Sequence, residues 1–524
     1  MAETYDIISV GAGSHGLLAA AYMAKAGKRV LVLERNDHIG GGAVTKEIAP
    51  GFLFDEHATV HQVILSNPLI RNDELGLMSQ FGLEYIYPDA VFASVFDDGS
   101  SLVSYRDVEQ SARAIAEFSA ADADAYRRFS EMALRVYPML SGALFSPPVP
   151  MGAMMSMMSQ SREGNELLLM SLKSGLDIVS EWFTHEKVRM HLVKLMTENL
   201  QAPDDKGTGI GALAMLGAAH VTGLAIPRGG SGKLSEAIAR CIEHHGGVIA
   251  TSRDVTGFVR SGGRVTGVET ADGERYMAKD GVVGAIHPHH LRRYFGDVDE
   301  GVLGRAERVQ MAPYSSLTTH YALHEAPRYR DATGDAGGAL FVELLPSRME
   351  TLRRAFDEYR YGRLPDPIPH FGTTRHAAFD PSRAPPGKAV MQALTFAPYE
   401  LAQGGWDDLA AVWPGQMQRQ LGRWITNLEP DNIIASRSYT PVDMERSSSS
   451  FVRGDIHGAA PYFHQMNGHR PTPDLAQYKV PGIEGFYLVG PFMHPGSGLT
   501  GAGRATAMRM MSDLGIDFGK VIGA

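Results

Sequence analysis

Hydrophobic residues gather at both ends of the chain in runs too short for helices and too dense for loops. Asp6-Ile7-Ile8-Ser9-Val10 reads as a short, mostly apolar strand. Val30-Leu31-Val32-Leu33 is four apolar residues in a row, the pattern of a strand covered on both faces. Between them, Leu17–Ala26 is rich in Ala and Leu, which predicts a buried helix, and Gly27 supplies its C-terminal stop. Together these make one βαβ unit of ordinary length. The far end holds a strand over Gly485–Val489, a glycine-rich turn over Gly490–Gly503 and a helix over Arg504–Leu514.

The middle has a different rhythm. Ala-rich helical patterns run through Ser111–Leu140, a Met- and Pro-rich stretch covers Pro138–Gln160, and helical patterns resume to about Leu200. A helix over Leu234–His245 leads into five short strands: Val248–Thr251, Val255–Arg260, Arg264–Thr270, Glu274–Ala278 and Gly281–Ile286. Gly262-Gly263 and Asp272-Gly273 lie between them as hairpin turns. From about 300 to 480 the pattern is mixed. At 524 residues the chain exceeds one ordinary core. The fold class expected is α/β. A Rossmann-type nucleotide-binding domain is assembled from 1–65, 215–300 and 480–524. An α+β substrate domain takes 66–214 and 301–479, with a helical, Met-rich part near 110–200.

The first turn carries the chemistry. Gly11-Ala12-Gly13-Ser14-His15-Gly16 is a G-x-G-x-x-G motif between a strand and a helix. Gly11 allows the tight turn, Gly13 lets a pyrophosphate approach the backbone, and Gly16 lets helix and strand pack closely. The helix N-terminus offers free N–H groups and the positive end of its dipole to phosphates. Glu34 ends the second strand 18 residues after Gly16, where a carboxylate meets the ribose hydroxyls and disfavours a 2′-phosphate. NAD and FAD share the adenylate half, so this loop alone does not separate them. Arg35 is followed by a second cluster, Gly40-Gly41-Gly42-Ala43-Val44-Thr45, which resembles the glycine doublet of flavoproteins.

Composition narrows the partners. The net charge of −10 and the absence of a long basic run argue against nucleic acid. They also give no broad attraction to anionic lipid, although an apolar patch at Met151–Met158 leaves peripheral membrane contact open, beside a gate or core-packing role. The single cysteine, Cys241, excludes internal disulfides and dithiol redox chemistry and reads as a small buried residue on a helix. Redox work, if there is any, must therefore come from a bound cofactor. No secretory signal or spanning segment is read, and the cytoplasm is the expected compartment.

Val10–Thr45 resembles the phytoene desaturase-type FAD-dependent oxidoreductases, whose fold is of the glutathione reductase/amine oxidase kind. Ile226–Leu234 is similar to that family's G-G-x-x-x-L segment. Tyr487–Gly501, with Gly490-Pro491-Phe492-Met493-His494-Pro495-Gly496, resembles its C-terminal signature. Gly454-Asp455-Ile456-His457-Gly458 is closer to the pyridine-nucleotide-disulphide-oxidoreductase-domain-containing proteins. The resemblance implies FAD. Gly11, Gly13, Ser14, His15 and Gly16 would hold the pyrophosphate, and Glu34 and Arg35 the adenosine side. Gly41, Gly42 and Ala43 would pass by the phosphate and ribityl chain, and Val255 would meet adenine through its backbone. Gly490 and Pro491 would lie by the ribityl chain, and Gly498, Leu499 and Thr500 would face the flavin pyrimidine. Related amine oxidases carry an acidic residue where this chain has Pro491, which puts one ribityl contact in doubt.

The chemistry so implied is hydride transfer from a small, largely apolar organic substrate to flavin N5, with O2 or a quinone as electron acceptor. His57, His457 and His494 are the candidate catalytic residues, and His61 shares the segment of His57. A structural hydrogen bond is the alternative for each. His287, His289 and His290 invite a metal, but no complementary ligands are evident, so no metal is expected. Two other readings stay open. One is a flavin amine oxidase, against which the acid-free Pro491 turn argues. The other is a non-catalytic binding protein like the GDP-dissociation inhibitors, which the full set of flavin elements disfavours.

Overall fold

The computed structural model describes residues 3–331, 333–496 and 498–523, so Ser497 of the C-terminal signature lies outside them. Strand β1 (Glu3–Val10) runs into helix α1 (Ser14–Lys25) and on to β2 (Val30–Leu33). All of α1 from Ser14 to Ala24 is buried. Its small side chains let Gly232–His244 and Gly503–Asp513 pack against it from two sides. A side chain on Gly503 would collide with the His15 carbonyl oxygen and reach within 2.8 Å of Leu18 Cβ, so glycine is what allows this approach.

Around β1 lies a seven-stranded sheet in the order Val255–Ser261, Arg264–Thr270, Arg275–Gly284, β1, β2, Val248–Ala250, with Phe486–Leu488 pairing parallel to the end of Arg275–Gly284. The two strands expected at Glu274–Ala278 and Gly281–Ile286 are one. β1 runs parallel along its whole length, and the Lys279-Asp280 break is absorbed as a register shift between Tyr5 and Ile7. The sheet thus draws on the beginning, middle and end of the chain.

A second seven-stranded sheet has the order Ile433–Tyr439, Tyr314–Leu323, Ala389–Pro398, Phe371–Thr374, Phe341–Leu345, Ala90–Phe96, Ser101–Tyr105. Only the Phe341–Leu345 and Ala90–Phe96 pair is parallel. Helices from 108 to 221, including α2 (Glu186–Thr197) and Ile210–Val221, pack beside it. The Met-rich stretch forms the helix Met151–Met158, of which Met151 alone is buried and Met157 is exposed. The gate role does not fit this placement, since no residue of the helix lines the large cavity beside the glycine loops, and core packing is confined to Met151 and the partly buried Met158. Among the described residues no helix is long and apolar enough to cross a membrane. Cys241 is buried on Gly232–His244, and burial pushes its thiol up to about 11.

One buried charge network fixes the second glycine cluster against the sheet. Asp55 accepts from the Ser231 N–H (2.7 Å) and Thr45 Oγ1 (2.7 Å), and pairs with the fully buried Arg383 at 3.0 Å. Burial opposes the Asp55 charge, but Arg383 and His376 outweigh it and hold the carboxyl below its usual range.

Candidate functional site

The two glycine loops are pinned to each other before any ligand is considered. Gly40 N–H donates to the Ala12 carbonyl (2.8 Å), and a Cβ on Gly41 would come within 2.9 Å of Gly13 Cα. A Cβ on Gly16 would meet the Gly11 carbonyl oxygen at 2.6 Å, so the close turn needs glycine there. No side chain caps α1 at Gly13, and its first turn holds no acidic residue. Glu34 accepts from the Ala12 N–H (2.7 Å) and the Asn36 N–H (2.9 Å), which fixes its carboxylate at the end of β2. Arg253 N–H donates to the Glu34 carbonyl (2.7 Å), placing the start of the Val255 strand beside it. Arg35 is exposed. A strip of bare backbone, an uncapped helix N-terminus and a fixed carboxylate are what a dinucleotide's pyrophosphate and ribose require.

From this strip a cavity with an empty volume of about 1460 Å³, partly open to solvent, extends toward the second sheet. One wall is Gly13, Ser14, His15, Gly16, Gly41, Gly42, Ala43, Gly490, Pro491, Gly498, Leu499 and Thr500. The two ends of the chain therefore face one space. The opposite wall is mostly apolar, with Leu195, Met215, Leu224, Phe341, Leu394 and Ile456. Glu34, Arg35, Val255 and Gly11 lie outside the cavity's lining.

Three histidines line it, and their hydrogen bonds fix which nitrogen carries a proton. His15 Nε2 donates to the Gly498 carbonyl (2.9 Å), and the Gly498 N–H donates to His457 Nδ1 (2.6 Å). One glycine residue is thus held from both of its backbone sides, between the first helix and the Gly454–Gly458 loop. Because His457 Nδ1 accepts, the hydrogen of its neutral ring is on Nε2, which makes no hydrogen bond of ordinary length within the protein. His57 is the reverse. Ser447 Oγ donates to the Met444 carbonyl (2.7 Å), so it accepts from His57 Nε2 (3.1 Å), and the unprotonated Nδ1 is left without a partner. Burial pushes His57 down to about 4 and also lowers His457, the latter against the pull of Asp455 and of the Glu198 backbone.

The other histidines are placed elsewhere. His494 Nε2 donates to the Ala143 carbonyl (3.2 Å), outside the cavity lining. His61 is buried between Tyr85 OH (2.8 Å) and Ser231 Oγ (3.0 Å). His287 donates to the Gly458 carbonyl (2.8 Å) and accepts from the His289 N–H, while His289 donates to Val309 (2.8 Å). Among the described residues no group of three or more His, Cys, Asp or Glu is arranged to hold a metal.

Two features escape sequence reasoning. The fully buried Arg470 donates to the carbonyls of His457 (2.8 Å), Ala459 (3.2 Å) and Pro491 (3.0 Å), tying the His457 loop to the Gly490-Pro491 turn. Burial pushes its guanidinium down to about 10, with Asp455 pulling the other way. Glu198, at the end of α2, is the only Asp, Glu, Lys or Arg that lines the cavity among the described residues.

With this geometry in hand, the similarities are specific. The family model described as flavin containing amine oxidoreductase matches residues 16–505. A limonene dehydrogenase subunit of Castellaniella defragrans is 28% identical, over 98% of this chain and 95% of its own. Pyridine nucleotide-disulfide oxidoreductase domain-containing protein 2 of Rattus norvegicus is 29% identical, over 97% of this chain and 94% of its own. A lycopene-forming phytoene desaturase of a Paracoccus strain is 26% identical, over 97% of each.

Replacing Arg470 by Met strands three buried carbonyls, and should lower unfolding free energy by about 3 kcal/mol. The urea midpoint with an unchanged slope measures this. Buried histidines also set an acid limit. His15, His61, His376 and His494 are pushed down to about 4, burial being the leading cause for each. Below the ordinary value of 6.5 the unfolded chain binds protons that the folded one refuses, so stability falls as pH drops from 6.5 toward 4. Each histidine contributes up to about 1.4 kcal/mol per pH unit in that window. The protein should therefore unfold above pH 4, and a circular dichroism titration that shows a native fold at pH 4 would contradict it.

Proposed function

The chain belongs to the flavin-containing amine oxidoreductases and is an FAD-dependent oxidoreductase, and we propose that it dehydrogenates a small, largely apolar organic molecule. The observation that carries this reading is the single cavity joining the glycine loops to an apolar wall. When bound, FAD supplies a two-electron acceptor that takes a hydride from carbon. The residues of this chain do the rest. Gly13, Ser14, Gly16, Gly41 and Gly42 would hold the pyrophosphate with backbone N–H groups, since no Lys or Arg lines the cavity among the described residues. Glu34 would hold the ribose, and Gly490, Pro491, Gly498, Leu499 and Thr500 the ribityl and ring portions. The cofactor domain is taken as 1–65, 215–300 and 480–524, in keeping with the three segments that feed the first sheet.

Leu195, Met215, Leu224, Phe341, Leu394 and Ile456 would orient the substrate and keep water away. Of the three candidate histidines, His457 carries its hydrogen on Nε2, an atom buried within the wall beside the Glu198 backbone. His57 keeps a lone pair, but burial makes it a weak base. Chemistry that breaks C–H bonds without a strong base suits this pair. Limonene dehydrogenase and phytoene desaturase, by their names, act on hydrocarbons, which favours desaturation or hydroxyl oxidation over amine oxidation. The electron acceptor is O2 or a quinone, and the compartment the cytoplasm.

Denaturing the purified protein should release FAD at close to one per chain, and Gly16→Val should purify without it. In anaerobic mixing, apolar alkenes or alcohols should bleach the oxidised flavin band faster than primary amines do. Fast bleaching by amines alone would replace the substrate reading with amine oxidation.

A further inference from the structure

Behind the apolar wall lies a buried ion cluster that flavin binding does not explain. Lys194 sits one turn before Glu198 on α2 and pairs with its Oε1. Its ammonium also reaches Glu343 at 3.1 Å, on the buried strand β3 (Phe341–Leu345). Phe341 and Glu343 are two residues apart and share a face of that strand, so the cluster adjoins the wall that Phe341 forms. The side chains of Lys194 and Glu343 are 0% and 2% exposed, whereas that of Glu198 is 21% exposed and lines the cavity.

The charges of this cluster can be balanced. Burial raises the Glu343 carboxyl well above its usual range, with Lys194 opposing, so Glu343 is the neutral acid. Lys194 is charged: burial lowers it, but the two carboxyl partners raise it above its ordinary value. The triad then carries Lys194 plus and Glu198 minus, with no net charge. Glu198 stands at the C-terminal cap of α2, the negative end of the helix, where a carboxylate is disfavoured without its cation. A partly buried carboxyl acceptor remains at the surface of a mostly apolar cavity. A substrate cation there would be repelled by Lys194 directly behind the carboxylate, whereas a neutral O–H would not.

We propose that Glu198, held by Lys194 and Glu343, is the specificity-determining contact that accepts a hydrogen bond from a neutral hydroxyl on the substrate. Lys194 and Glu343 are positioning residues. This rests on the reading of the cavity as the site of an apolar substrate, and it narrows that class to apolar alcohols.

The test is binding to the oxidised, FAD-loaded protein under anaerobic conditions, read as perturbation of the flavin spectrum. The probes are cyclohexylmethanol, methylcyclohexane and cyclohexylmethylamine. The alcohol should bind about tenfold or more tightly than the hydrocarbon, and the amine no better than the alcohol. In Glu198→Gln, Lys194 can only donate and so takes the amide oxygen, which turns the amide N–H toward the cavity. The alcohol's Kd should rise about tenfold while that of the hydrocarbon stays put. Flavin content and melting temperature check the fold, and Glu198→Asp, which keeps a carboxylate, should retain part of the preference and carries the test should Gln not fold. Equal weakening of alcohol and hydrocarbon, no change in either, or a preference for the amine overturns the assignment while leaving the apolar cavity intact. If none of the three perturbs wild-type flavin, the apolar-substrate reading falls and the assignment with it.

Discussion

The structure hinges on one glycine residue. Gly498 donates its N–H to His457 and accepts from His15 at its carbonyl, so the N-terminal helix, the Gly454–Gly458 loop and the C-terminal turn meet at a single point. Arg470 ties the same loop to the Gly490-Pro491 turn from behind. The Arg470 bonds are buried and the Gly498 bonds partly so, and a buried partner left unmade costs more than a made bond gains in water. The geometry of the glycine wall is therefore set by the protein before any ligand arrives. A dinucleotide that binds such a wall need not order the loops around it.

Much of this wall is legible in the sequence because its requirements are local. Gly16 and Gly11 are five residues apart, and the clash that a Cβ would create between them belongs to one turn. Glu34 is placed by strand and helix lengths alone. The apolar runs of β1 and β2 give the sheet, and the buried α1 follows from its Ala and Leu content. Where local pattern misleads, the deciding contact is distant. The single strand Arg275–Gly284 is continuous only because β1 lies along it. The Met-rich segment looks like core or gate by composition, yet nothing in its own sequence says which side of the domain it will face.

The buried ions illustrate the same limit. Asp55 and Arg383 are far apart in sequence, as are Lys194 and Glu343, and Arg470 and Pro491. The Lys194 and Glu343 pair had a faint signal. Glu343 interrupts the apolar run Leu340-Phe341-Val342-Glu343-Leu344-Leu345, and Lys194 stands among Leu192, Val193, Leu195 and Met196 with Glu198 one turn on. A charge inside an apolar run is rarely buried unless paired, so such positions announce a partner without naming it. Only the tertiary arrangement supplies the name.

Protonation divides the labour among the histidines in a way that residue type alone does not disclose. His457 and His57 both line the cavity, and from sequence they are interchangeable candidates. The Gly498 N–H takes the Nδ1 lone pair of His457, while Ser447, with its own proton committed to Met444, takes the Nε2 hydrogen of His57. One ring is left as a donor and the other as an acceptor, and burial keeps both neutral. A charged imidazole would compete with substrate for Glu198, the only carboxylate that lines the cavity among the described residues. A site with neutral histidines and a balanced ion pair presents almost no net charge to its occupant. That electrostatic quiet matches an apolar substrate, whose cost of entry is low where the one charge it meets is already balanced by a buried partner.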